Sequence, residues 1–401
     1  MLHRIFKAFQ YRDFRLMWAG AFTSSVGTWM QKVAQSWLVL SLSGSPFLLG
    51  LDAFLGEIPI FLFSLLGGVV ADRVERRRIL LVSQYVQMTC AFLLAVLIAT
   101  GTVRVWHILS LSFVVGFAQA FGGPAYQALI PMLVQKHDLP NAIALNSIQF
   151  NLARVVGPML GGLALTQFGS AWCFFLNGLS FLAVIWSLWR LGLRVTPQPE
   201  MQSVLASIQE GIGFIRIRTG MIALIVLAFC MTALAIPLIT FLPVFARDVF
   251  HRGASTFTLF LVCSGAGSIA GALLVAGLGN IPRKGLMALV VMLCLGVSIS
   301  GFALSRHIAL SCVLLFVAGM ALMMVFATIA SLVQLITSDE MRGRVMSVYN
   351  VAFRGGMPIG SLATGWLVPA FTAPVVLAVN GLVLVGVAMY FLFVQRRVAA
   401  L

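Results

Sequence analysis

Residues 67–80 read GGVVADRVERRRIL. Four arginines (Arg73, Arg76, Arg77, Arg78) and two acids (Asp72, Glu75) follow a Gly-Gly pair, in a chain with only 9% charged residues. Soluble proteins carry about a quarter charged residues. This chain of 401 residues is 61% hydrophobic, with a mean hydropathy of +1.04, and lacks the polar groups to cover a water-facing surface. Apolar runs of about twenty residues flank the charged stretch, each long enough to cross a bilayer core. The stretch is therefore a loop between two membrane helices. The runs are continuous rather than alternating, which argues against a β-barrel.

Working outward from that loop, membrane segments are predicted near 14–40, 46–70, 79–100, 105–130, 141–167 and 170–190. A second set is predicted near 220–246, 255–279, 285–304, 307–335, 342–368 and 373–394. The interval 191–219 contains RVTPQPEMQS and then a stretch that places Val204, Ile208, Ile212 and Ile215 on one helical face. It is a linker whose short amphipathic helix is expected to lie on the membrane surface. The expected organisation is an N-terminal bundle over 1–190, the linker over 191–219 and a C-terminal bundle over 220–401.

An even number of helices puts both termini on one side. That side would hold nineteen Lys and Arg residues, against four (Arg104, Arg247, Arg252, Arg306) in the opposite loops. Positive charge collects in cytoplasmic loops, so both termini are expected in the cytoplasm. The same asymmetry accounts for the net charge of +15 without invoking nucleic acid. The basic N-terminus has no small-residue cleavage site and reads as a retained first helix. The six cysteines are scattered through apolar runs with no CxxC pair, which predicts no metal site and no cofactor. No P-loop and no nucleophile–base pair appears, which speaks against an enzyme and assigns the energy source to a gradient.

The chain repeats itself at an offset near 200. Around LPNAIALNSIQFNLARVVGPMLGG (139–162), Ser147, Arg154 and Pro158 match Ser347, Arg354 and Pro358. These residues lie on the fifth and eleventh segments, so six helices are used twice, a known transporter plan. The predicted fold class is an all-α membrane protein of twelve transmembrane helices in two pseudo-symmetric six-helix bundles.

The opening stretch resembles the signature loop of the major facilitator superfamily, G-x-x-x-D-R-x-G-R-R-K. Gly68, Asp72, Arg73, Arg76 and Arg77 fit it, Arg78 stands where Lys is usual, and Glu75 replaces Gly. The resemblance implies a conformational latch formed by Gly68, Asp72, Arg73, Arg76 and Arg77. The second-half counterpart, GLGNIPRKG (277–285), lacks the aspartate. In the fifth helix, ARVVGPMLGG resembles the antiporter motif G-x-x-x-G-P-x-x-G-G, with Gly157, Pro158, Gly161 and Gly162 in register and Ala153 at the first position. SLSGSPFLLGL (41–51), GGPAYQALIPMLV (122–134) and SDEMRGRVMSVY (338–349) are similar to the drug:proton antiporter branch that includes macrolide-efflux and enterobactin-exporter proteins. The fourth helix reads GFAQAFGG (116–123), without the arginine of the R-x-x-Q-G motif found in many proton-coupled relatives.

Charges inside a membrane span are costly and mark function. Lys32, Asp52, Glu57, Arg154 and Arg354 qualify. At the α-helical rise, Arg154 and Arg354 lie ~18–20 Å from their cytoplasmic ends, with Glu57 near mid-depth and Lys32 overlapping it. Glu57 is the first proton-site choice and Asp52 the second, with Lys32 and Arg154 as basic partners. Ser147, Asn151, Arg154 and Pro158 share one face, which Ser347, Arg354 and Pro358 repeat. That face, with Trp29 and Phe150, is expected to line a substrate cavity.

The sequence therefore predicts a monomeric multidrug-type exporter of the inner membrane. It would exchange small amphipathic substrates for protons, with membrane lipids as its surroundings. The alternative is a dedicated transporter of one anionic or lipid-like substrate, a siderophore or lysophospholipid, independent of protons. A receptor or scaffold would need neither the buried charges nor the loop.

Overall fold

The structure is a computed structural model and describes residues 6–192, 204–218, 220–278, 283–338 and 341–399. The Pro-rich part of the linker (193–203) and most of the GLGNIPRKG loop (279–282) lie outside the described residues. Every regular element among the described residues is helical, because hydrocarbon offers the backbone no partner and each segment must satisfy its own N–H and C=O groups.

Thirteen α-helices are described: α1 (Arg12–Ser43), α2 (Pro46–Arg73), α3 (Arg76–Ala99), α4 (Val105–Leu129), α5 (Leu139–Phe168), α6 (Ser170–Arg190), α7 (Val204–Ile217), α8 (Met221–Val244), α9 (Ala254–Leu278), α10 (Lys284–Leu304), α11 (Ile308–Ile336), α12 (Arg342–Phe371) and α13 (Ala373–Met389). Single π turns extend α8 over Phe245–Val249 and α13 over Tyr390–Val394. Ten of the helices are long and apolar enough to cross a membrane: α2–α6, α8–α11 and α13. Helices α1 and α12 have the length, 32 and 30 residues. Their hydropathy is lowered by Arg12, Asp13, Arg15 and Lys32 in α1, and by Arg342, Arg344 and Arg354 in α12.

The chain divides into two compact units, one of residues 1–43 and 55–201, the other of 44–54 and 202–401. The boundary thus falls inside α2. In the first unit α1 packs on α5 and α6, and α3 packs on α4 and α6. In the second, α8 packs on α12 and α13, and α10 packs on α11 and α13. The neighbour pattern is the same with the helices taken in order, as the sequence repeat predicts. One residue reverses the chain between the last two helices of each set. Gly169 (φ 84°) does so between α5 and α6, and Thr372 (φ 70°) between α12 and α13. The threonine lacks the glycine's freedom there, a strain of about 1–3 kcal/mol.

Small residues set the helix crossings. Between helices in lipid, packing replaces the hydrophobic effect, and small residues let backbones touch. A Cβ on Gly67 would collide with the Ala120 carbonyl of α4. The sequence assigns close approach to both Gly67 and Gly68, yet Gly68 faces open space. One residue turns the helix by about 100°, so only one glycine of the pair can face α4. In the second unit Gly267 and Gly271 of α9 meet the backbone of Phe316 and Met320 on α11. Serines tie the crossings: Ser83 Oγ donates to the Ala118 carbonyl at 2.8 Å, Ser187 Oγ to Leu16 at 2.8 Å and Ser300 Oγ to Ala378 at 2.9 Å.

Two peripheral segments are anchored by polar contacts. The turn Lys7–Gln10 docks on the start of α5. There the Ala8 N–H donates to Asn141 Oδ1 at 2.8 Å, and buried Asp138 receives Lys7 Nζ, Tyr11 Oη and Gln10 Nε2, each at 2.8 Å. Burial and the Asp138 carboxylate push the Tyr11 hydroxyl pKa up. The linker helix α7 packs on α12, burying Ile215 and pairing Glu210 with Arg344. The side chains of Val204 and Ile208 lie outside the described residues.

The Gly67–Ala120 contact predicts that Gly67→Ala lowers the thermal stability of the detergent-purified protein, by about 1–3 kcal/mol for forced overpacking. Gly68→Ala should stay within about 0.5 kcal/mol.

Candidate functional site

The site is built on α1, where Trp29 and Lys32 project one turn apart. Helix α5 comes close enough to reach them because its glycines have no side chains. A Cβ on Gly157 would strike the Trp29 Cβ and come within 2.8 Å of the Val26 carbonyl, and one on Gly161 would lie 2.9 Å from Met30 Cα. The Gly-Pro-x-x-Gly-Gly run is therefore the seam between α5 and α1, with Gly157, Pro158, Gly161 and Gly162 all buried. The second unit repeats the arrangement: Gly356 and Gly360 of α12 meet the α8 backbone at Phe229 and Ala233.

Across this seam Arg154 reaches the Trp29 indole. Its guanidinium carbon lies 5.7 Å from the ring centroid, and Lys32 Nζ lies 5.1 Å from the same ring. Phe150 stands edge-on to the indole at 6.3 Å. Lys32 Nζ is also 3.5 Å from Glu57 Oε1, so Lys32, Trp29, Phe150, Arg154 and Glu57 form one constellation within the first unit. The Lys32 side chain is 53% exposed and that of Glu57 26%, leaving the pair accessible. Asp52, earlier on α2, is buried and has an interaction partner.

Charge in this constellation does not balance. Among the described residues Glu57 is the carboxylate ion-paired with Lys32, and Arg154 makes no ion pair. A cation at mid-helix costs about 2.5–3.5 kcal/mol to insert, whereas a cation–π contact returns about 0.5–2 kcal/mol. The indole offsets only part of the cost of Arg154.

The expected polar face on α5 is shorter than predicted. Ser147 is exposed and Asn151 partly so, but their side chains bond back to Ile143 and Ser147 carbonyls at 3.0 and 2.9 Å. Pro158 lies on the same helical angle yet is buried, because the C-terminal half of α5 is covered by α1 at Gly157 and Gly161. On α12, Ser347 Oγ likewise donates to the Gly343 carbonyl at 2.9 Å. Arg354 is exposed and Pro358 buried. No carboxylate pairs with Arg354 among the described residues.

The charged loop resolves into separate jobs. Arg76 donates to the carbonyls of Ala71 at 3.3 Å and Ala128 at 3.1 Å, joining the ends of α2 and α4. Arg77 Nη2 donates to the Trp189 carbonyl at the end of α6 at 3.0 Å. Both place positive charge on helix C-termini, where orphan carbonyls and the helix dipole favour it. Glu75 occupies the N-cap position of α3 at φ −54°, ψ 112° without a side-chain capping bond, a conformation that needs no glycine, and pairs with Arg78 at 2.8 Å. Arg73 is exposed, and the Asp72 side chain lies outside the described residues.

Sequence reasoning missed a chain of neutral polar groups behind the site. Ser180 donates to Asn177 Oδ1 at 3.1 Å, Asn177 to Gln31 Oε1 at 2.6 Å, Gln31 to Gln35 at 3.4 Å and Gln35 to Ser112 at 2.9 Å. It ties α6, α1 and α4 together around the turn that carries Lys32. The visible signal was the pair of glutamines four residues apart inside an apolar run.

These features define a polytopic membrane transporter rather than an enzyme. The chain belongs to the transmembrane secretion effector family of the major facilitator superfamily, which matches residues 5–400. It is 23% identical over 390 residues to the staphyloferrin A transporter of Staphylococcus aureus, covering 96% of each chain. It is 22% identical to macrolide efflux protein A of Streptococcus pyogenes, covering 86% of this chain and 87% of that one. It is 27% identical to the enterobactin exporter EntS of Escherichia coli, covering 96% and 92%. Among solved structures, a POT family transporter in complex with 5-aminolevulinic acid matches with a TM-score of 0.76 at 11% identity, covering 96% of each chain. A bacterial homologue of the human lysosomal transporter Spinster matches with a TM-score of 0.75 at 13% identity, covering 96% and 97%. The fold is that of major facilitator transporters, and the protein is a multi-pass protein of the cytoplasmic membrane.

The loop geometry separates its arginines. Arg76→Ala should destabilise the purified protein by about 1–3 kcal/mol, since it strips partners from two helix ends, whereas Arg73→Ala should change thermal stability by less than about 0.5 kcal/mol.

Proposed function

We propose that the protein is a secondary active exporter that moves small amphipathic molecules out of the cytoplasm in exchange for protons. The observation that carries this reading is the accessible Lys32–Glu57 ion pair at 3.5 Å beside the Trp29 indole. A proton site needs a carboxylate whose charged form is stabilised enough to release its proton and exposed enough to take one up. Glu57 is the first choice, being partly exposed with Lys32 as its counter-charge, and Asp52 is the second carboxylate on the same helix. Trp29, Phe150, Arg154 and, in the second unit, Arg354 and Ser347 supply aromatic and basic contacts for substrate. Relatives named as macrolide, multidrug, enterobactin and staphyloferrin transporters support small, partly apolar cargo.

In this reading twelve helices cross the membrane as two six-helix bundles, 1–190 and 220–401, with both termini cytoplasmic. Helices α1 and α12 complete the ten apolar spans, their charges serving transport. Transport proceeds by alternating access, and the loop of Gly68, Asp72, Arg73, Arg76 and Arg77 latches one end state. The protein acts as a monomer.

Purified protein in liposomes should accumulate or release a fluorescent amphipathic dye when a pH gradient is imposed. Glu57→Gln should abolish gradient-driven movement, at least about tenfold, while substrate–substrate exchange persists, because neutral Gln mimics the protonated state. Dye movement indifferent to the gradient in the unmodified protein contradicts proton exchange.

A further inference from the structure

We infer that Arg154, Trp29 and Lys32 form a subsite for a planar aromatic anion, an aryl carboxylate, within the first unit; this rests on the transporter reading and names the chemical class that one of its subsites takes. Three observations carry it. First, two cations share one indole: Arg154 at 5.7 Å and Lys32 at 5.1 Å from the Trp29 centroid. Second, only one of the two is ion-paired, since Lys32 meets Glu57 at 3.5 Å and Arg154 meets no carboxylate among the described residues. Third, Phe150 is 51% exposed and stands edge-on to Trp29 at 6.3 Å, leaving its ring available to a second aromatic group.

The chemistry follows from these positions. A site that combines two aromatic rings with one surplus positive charge favours a ligand that brings a negative one. Arginine presents a planar fork that a carboxylate meets with two parallel hydrogen bonds. A ring attached to that anion can lie against Phe150 and the indole in offset or edge-on geometry. A neutral amide of the same shape keeps the ring contacts and loses the charge. A saturated ring bearing the same carboxylate keeps the charge and loses the aromatic contact. The subsite therefore predicts discrimination on both counts.

Equilibrium binding of naphthoate, naphthamide and cyclohexanecarboxylate to detergent-purified protein tests this without a gradient. Naphthoate is expected to bind about tenfold or more tightly than either analogue, the scale of one charge-assisted hydrogen bond. Arg154→Gln should erase the preference for naphthoate over naphthamide, and Arg154→Lys should retain part of it. The Lys variant keeps the buried charge, so it separates loss of the anion contact from loss of the fold. Equal binding of naphthoate and naphthamide, no measurable binding of either, or an unchanged ratio in Arg154→Gln overturns the inference. Those results would leave proton-driven export standing, and failure of gradient-driven dye movement would leave this subsite standing.

Discussion

The close approach of α5 to α1 through Gly157 and Gly161 is the constraint on which the rest of the site depends. With any larger residue at Gly157, the Trp29 Cβ and the Val26 carbonyl would have to move. Arg154, three residues before that glycine, would then no longer reach the indole face. The Gly-Pro motif of the fifth helix thus acts through geometry: it brings a guanidinium to within cation–π distance of an aromatic ring on the neighbouring helix. The equivalent seam between α12 and α8, made by Gly356 and Gly360, shows that each half of the chain solves the same packing problem with glycines four residues apart.

Within that frame charge and polarity are sorted by role. At the membrane edge, arginines sit on helix C-terminal carbonyls, as Arg76 and Arg77 do, and a carboxylate gathers the N-terminal turn through Lys7 and Tyr11. Inside the first unit, neutral amides and hydroxyls fasten α6, α1 and α4. That leaves Lys32, Glu57 and Arg154 as the charged groups gathered around the Trp29 indole.

Much of this was legible in the sequence, and the misses have physical reasons. The long apolar runs gave each helix within a few residues, because hydrophobic length is set by the bilayer. A lone charge in a span needs a partner, so the sequence offered Lys32 and Arg154 as partners for Glu57 or Asp52, and the structure pairs Lys32 with Glu57. Trp29 was less so, for an aromatic in an apolar helix carries no sign of which way it faces. Choosing between Gly67 and Gly68 required the rotation of α2. Glu75 stands where the resembling motif has glycine; at the N-cap position of α3, paired with Arg78, it fits without strain. The Gln31–Gln35 chain was overlooked because neutral amides attract less notice than charges, although they too must be paired inside a membrane.

The central claim is that Lys32 and Glu57 act as one coupling unit. A double-substitution cycle on gradient-driven transport measures this directly. If the claim holds, Lys32→Gln and Glu57→Gln each cut gradient-driven transport, and the double variant is no worse than the poorer single one. Independent effects that multiply in the double variant would contradict it.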